Sequence, residues 1–106
     1  MPRLVKLCAR TAVEEGAPIR VVVEGFPPLA VYCLAEEIFI TADTCTHGMA
    51  SLCDGVQEGE EIECPYHGGA FNIKTGEAIA FPCVDPIQVF EPVIDGDHIC
   101  VEAPGN

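Results

Sequence analysis

The chain has 106 residues, with 17 acidic and five basic side chains and a formal net charge of −12. A length near 100 residues fits one folded unit, and so negative a field repels phosphate backbones and anionic lipid, which argues against nucleic-acid and membrane-surface partners. No run approaches the roughly 18 consecutive apolar residues of a spanning helix, and residues 1–6 are mixed and lead into no apolar signal core, so a cytoplasmic location is expected.

In chain order, short segments rich in Val, Ile and Phe and cut by Gly, Pro and Asp predict strands at 5–8, 19–23, 29–34 and 37–41. Between the first two, Thr11 and Glu14 have capping-box spacing and Gly16 is a stop signal, which predicts a single helical turn or a polar turn. The second half predicts strands at 61–63, 70–72, 78–81 and 87–90, then a hairpin turning at Asp95, Gly96 and Asp97. No window sustains a helical apolar period over three turns, and nine prolines with ten glycines would interrupt one. The expected class is all-β. From Thr44 to Gly69 the chain becomes rich in Cys, His and Gly. That change suggests a sheet framework built from both termini with an inserted lobe of loops.

Seven cysteines allow a disulfide scaffold, a metal site or reduced buried thiols. The odd number weakens the first reading. Two motifs carry the second: Cys45-Thr46-His47-Gly48 and Cys64-Pro65-Tyr66-His67-Gly68, with sixteen residues between His47 and Cys64. Each supplies one thiolate and one imidazole, each histidine is followed by a glycine that lets a tight loop expose the ring, and Pro65 fixes one torsion of the second loop. Two cysteines and two histidines also suit structural zinc, so ligand identity alone does not decide. Zinc fingers, however, pair like with like, whereas here each loop mixes the two. A mixed pair per loop suits a binuclear centre in which one iron takes both thiolates and the other both imidazoles.

These loops resemble the two-loop signature of the Rieske family, C-x-H followed by C-x-x-H after a connection of similar length. The resemblance extends to Phe71, to the Lys74-Thr75-Gly76 turn and to Pro82 in a third loop beside the cluster. It implies one domain over 1–106: an antiparallel β-sandwich or barrel framework, about 1–42 and 83–106, bearing a cluster-binding lobe of loops and short strands, about 43–82. It also implies one Rieske 2Fe-2S cluster, with Cys45 and Cys64 on the inner iron and His47 and His67 on the outer, solvent-near iron.

Rieske proteins of respiratory complexes add a disulfide between the two loops, and a Ser and a Tyr that bond to the cluster and raise its potential. Here Tyr66, Gly69 and Phe71 occupy those positions. The absence of all three devices predicts a midpoint near the low end of the Rieske range, about −100 to −200 mV.

The overall match is to the Rieske-type ferredoxins of multicomponent aromatic ring-hydroxylating dioxygenases. It implies a monomeric electron carrier, not itself an enzyme, between a flavin-dependent NAD(P)H ferredoxin reductase and a terminal Rieske non-haem iron oxygenase. Met49, Tyr66 and Pro82 are candidate docking residues around the exposed histidines. The alternatives are a small Rieske subunit of an assimilatory nitrite reductase and a zinc-stabilised binding module. A catalytic mononuclear iron site is excluded, because only His98 remains once the cluster takes its pair. Cys8, Cys33, Cys83 and Cys100, in or beside apolar segments, are expected as reduced, buried thiols. Cys53 lies between the ligand loops without a clear role, and His98 reads as a strand-end residue.

Overall fold

The computed structural model describes residues 3–46, 48–66 and 68–103. Their strands are β1 (Leu4–Ala9), β2 (Ile19–Val21), β3 (Leu29–Leu34), β4 (Glu37–Ala42), β5 (Val56–Glu58), β6 (Glu61–Glu63), β7 (Ala70–Asn72), β8 (Ala78–Ala80), β9 (Val89–Phe90), β10 (Val93–Asp95) and β11 (His98–Glu102). They form three antiparallel sheets, in the orders β1-β11-β10, β2-β3-β4-β9 and β5-β6-β7-β8. The all-β expectation therefore holds. Outside the lobe the framework is two sheets, as a sandwich requires.

The central sheet is organised by β3, whose sequence Leu-Ala-Val-Tyr-Cys-Leu has no polar face. A strand apolar on both sides must be covered on both. Leu29, Val31 and Cys33 join Ile38, Ile40, Ile99 and Val101 in one core, whereas Ala30 and Tyr32 join Leu52, Ile62, Phe71 and Ile73 in another. The first core lies toward the β1-β11-β10 sheet and the second toward the lobe. Fully burying side chains such as Leu29, Tyr32 and Phe71 contributes about 1.5–3 kcal/mol each. The Tyr32 hydroxyl stays satisfied in the interior by a 2.9 Å hydrogen bond with the Thr41 hydroxyl.

Turns account for where the strands stop. β10 and β11 pair across the expected turn, with Gly96 at φ +60. The tight turn between β3 and β4 places both Ala35 and Glu36 at positive φ, a conformation usually given to Gly or Asn. It is held from outside: the Ala35 N–H donates to Glu15 Oε1 at 2.9 Å, and the Arg10 guanidinium donates to the Glu36 carbonyl. The capping box expected at Thr11 is not formed. A three-residue 3-10 turn spans Arg10–Ala12 with no side-chain cap, and the Arg10 N–H donates to the Asp97 carbonyl at 2.7 Å. β5 was not anticipated; it pairs with β6 across Gly59 and extends the lobe sheet. Among the described residues no helix is long and apolar enough to cross a membrane.

Candidate metal centre

Cys45 follows β4 and Cys64 follows β6. Both loops close in the same way: the Cys45 N–H donates to the Ala50 carbonyl at 2.9 Å, and the Cys64 N–H donates to the Gly69 carbonyl at 2.6 Å. Each cysteine thus bonds to the residue five positions on and closes a small loop over its own thiol. The histidines at 47 and 67 fall between the bonded residues in sequence, and both lie outside the described residues. Gly68 has φ +74, a backbone state that glycine enters freely; the geometry asks no such freedom of Gly48.

Both thiols are interior, with Cys45 3% and Cys64 4% exposed, and they belong to the same buried cluster. Burial pushes the Cys64 thiol up; the Tyr66 backbone N–H pulls it down, and the neighbouring Cys45 raises it again. Two buried sulfurs brought together from separate loops, with loop tips beyond them, fit the sulfur half of a metal centre. A metal displaces those protons, which is why burial alone does not make such thiols inert. Among the described residues no three His, Cys, Asp or Glu side chains are grouped to hold a metal ion.

A third loop, between β8 and β9, closes over this pair. The Thr46 hydroxyl donates to the Asp85 carbonyl at 2.9 Å, and Cys83 Sγ lies 3.5 Å from Cys45 Sγ. Cys83 is buried, as expected, and its loop holds it against the site. Burial, followed by Cys45, raises its thiol to about 12. The other cysteines behave as background: Cys33 and Cys100 are buried, Cys8 is half-buried, and among the described residues none is in a disulfide. His98 begins β11.

The residue that sequence reasoning passed over is Asp43, which is 1% exposed. Its carboxylate accepts from Arg20 Nε at 3.1 Å, from the Ser51 hydroxyl at 2.5 Å and from the Cys53 N–H at 3.1 Å. Its own N–H bonds to the Pro28 carbonyl, and its carbonyl accepts from the Leu52 N–H. Asp43 therefore clamps the base of the first ligand loop, where Thr44 and Ser51 form a bridge. Cys53 belongs to this clamp, its thiol held protonated chiefly by burial and by bonding to Asp43. Replacing Asp43 by Ala leaves a buried hydroxyl and N–H without their acceptor, so a loss of about 2–4 kcal/mol is expected, read as an earlier denaturant midpoint with faster loss of bound metal.

Around the thiols the loop tips are apolar and exposed: Met49 93%, Tyr66 62%, Phe81 84% and Val84 71%. Two of these were expected; Phe81, which reads as the end of a strand, and Val84 were not.

Residues 3–91 match the family model of the Rieske 2Fe-2S domain. The chain is 48% identical over 96 residues to the ferredoxin CarAc of Metapseudomonas resinovorans, covering 91% of this chain and 90% of that one. A Sphingomonas yanoikuyae B1 ferredoxin superposes with TM-score 0.95 at 45% identity, covering 96% and 100%. The ferredoxin in a structure described as a complex of reduced oxygenase and oxidised ferredoxin in carbazole 1,9a-dioxygenase superposes with TM-score 0.88 at 42% identity, covering 97% and 95%. A putative nitrite reductase small subunit from Mycobacterium tuberculosis shares the fold alone, with TM-score 0.82 at 16% identity. With nearly its whole length matched and its two thiol-bearing loops in place, the chain belongs to the Rieske 2Fe-2S domain family.

Proposed function

We propose that this chain is a one-electron carrier, monomeric and cytoplasmic, that holds its cluster on Cys45, His47, Cys64 and His67 in a lobe of about residues 43–82. It passes electrons from a flavin-dependent NAD(P)H ferredoxin reductase to the Rieske centre of a terminal aromatic-ring dioxygenase. The observation that carries the reading is the pair of matched loops, each closed from its cysteine to the residue five positions on, with both thiols buried and in contact. Ferredoxin relatives of dioxygenase systems, one of them seen with its oxygenase, supply the partner class.

When bound, such a cluster supplies a one-electron couple between about −150 and +300 mV. The protein's part is to keep water from the two sulfurs, to hold the loops at fixed separation and to present a docking rim. Met49, Tyr66, Phe81 and Val84 give that rim apolar contact area, the kind of surface a transient interface desolvates. The net charge of −12 steers the approach toward positively charged partner faces. Reduced cysteines suit a reducing compartment.

The deciding experiment is a potentiometric titration of the purified protein followed by EPR. An anisotropic Rieske-type signal with a midpoint of about −100 to −200 mV is expected. A colourless, EPR-silent protein that takes up only zinc would replace electron transfer with a structural module, and a midpoint well above zero would refute the low-potential assignment.

A further inference from the structure

Gly69 and Cys83 are spatially exclusive. A Cβ built on Gly69 would lie 2.3 Å from Cys83 Sγ and 3.2 Å from both Cys83 Cβ and Cys83 N, so the thiol occupies the space that any side chain at 69 would need. The same sulfur lies 3.5 Å from Cys45 Sγ. It is held there from below by its own backbone, whose N–H donates to the Ala80 carbonyl at 3.0 Å, and Thr46 ties the third loop to the first. Cys83 is 4% exposed and packs in the same core as Cys45, Cys64, Leu52 and Phe71.

We infer that the Cys83 thiol is a hydrogen-bond donor to the Cys45 sulfur, that it raises the reduction potential of the cluster, and that Gly69 is a glycine so that this sulfur can reach. The inference rests on Cys45 being a cluster ligand. A ligating cysteine has given up its proton, which leaves Cys83 as the donor of the pair; a thiol in apolar surroundings keeps its own proton. A donor aimed at a ligand sulfur favours the state with more negative charge there, which is the reduced one, and hydrogen bonds to cluster sulfurs are one of the levers that set iron–sulfur potentials. The effect is modest, because S–H is a weak donor.

The test is the midpoint of the loaded protein in two variants. Cys83→Ala removes the donor and is expected to lower the reduction equilibrium about threefold, which is about 28 mV for one electron. Cys83→Ser, a stronger donor at nearly the same place, is expected to raise the midpoint. Either variant decides alone if the other fails to load. Gly69→Ala supplies the geometric check: in the parent protein it displaces the thiol and lowers the midpoint as Cys83→Ala does, whereas added to Cys83→Ala it changes the midpoint little further. Wild-type midpoints in Cys83→Ala and Cys83→Ser overturn the inference and leave Cys83 as packing only. If the unsubstituted protein shows no Rieske EPR signal, the ligand assignment has failed and the inference with it; a normal signal with unmoved midpoints sinks the inference alone.

Discussion

Cys64→Ala is expected to yield a protein with neither iron nor acid-labile sulfide and with no Rieske EPR signal, whereas Cys100→Ala is expected to load normally. The two positions are equally hidden, at 4% and 0% exposure, so burial does not distinguish them. Cys64 faces Cys45 from a closed loop; Cys100 is mid-strand in β11, paired with Lys6 of β1. Removing a ligand sulfur leaves one iron short of a donor, and the nearby Cys83 sulfur sits against Cys45 from a different loop. Cluster binding is also folding energy for the loops it ties. The Cys64 variant should therefore lose order in the ligand loops as well as the metal. The cost at Cys100 is that of a small truncation, about 1 kcal/mol. Iron and sulfide per chain, with EPR, check the pair. Full iron in Cys64→Ala would show that the ligand set lies elsewhere.

Gly76→Ala is expected to be strongly destabilising in the lobe outside the ligands, costing about 3 kcal/mol or more. Gly76 has φ +80, and a left-handed L-residue costs roughly 1–2 kcal/mol. Its Cβ would also lie 2.2 Å from the Ile87 carbonyl oxygen and 2.8 Å from Val89 Cγ2, a forced overpacking worth about 1–3 kcal/mol. The carbonyl cannot step aside cheaply, because Ile87 is anchored by its own N–H to the Gly76 carbonyl at 2.8 Å and is buried in the lobe core. The turn itself is already fixed by Asn72 Oδ1, which accepts from the Lys74 and Thr75 N–H groups. Against a total stability of about 5–15 kcal/mol, such a loss is visible in a denaturant titration of the loaded protein. Gly59→Ala is the control: it has φ +58 but nothing within 4 Å, so it carries the backbone cost without the clash. Equal midpoints for the two variants would show that the third loop yields.

The sequence was most readable where one residue type has one use. Alternating and continuous apolar runs located β2, β3, β4, β6 and β7 to within two residues, and the Cys-x-His and Cys-x-x-His spacings named two thiols that the fold does bring together. It was least readable where a residue is defined by what surrounds it. Asp43 looks like any surface carboxylate in the string, yet three donors from two separate segments converge on it. Ala35 and Glu36 carry no turn signature, because Glu15 and Arg10 enforce their conformation from a distance in sequence. Cys83 was legible as a buried thiol; its position against Cys45 depends on the path of a loop 38 residues away. Local pattern cannot report long-range contact.

The double duty of β3 leaves the molecule without a seam. Leu29, Val31 and Cys33 form part of the wall of one core, and Ala30 and Tyr32 part of the wall of the other, so neither could be cut out without tearing open its neighbour. The end that handles electrons and the end that merely holds shape are bonded to opposite faces of a single six-residue plank. A cavity opened under Val31 is thus expected to loosen the lobe as well, because the two buried sulfurs share a core with the opposite face of the same strand.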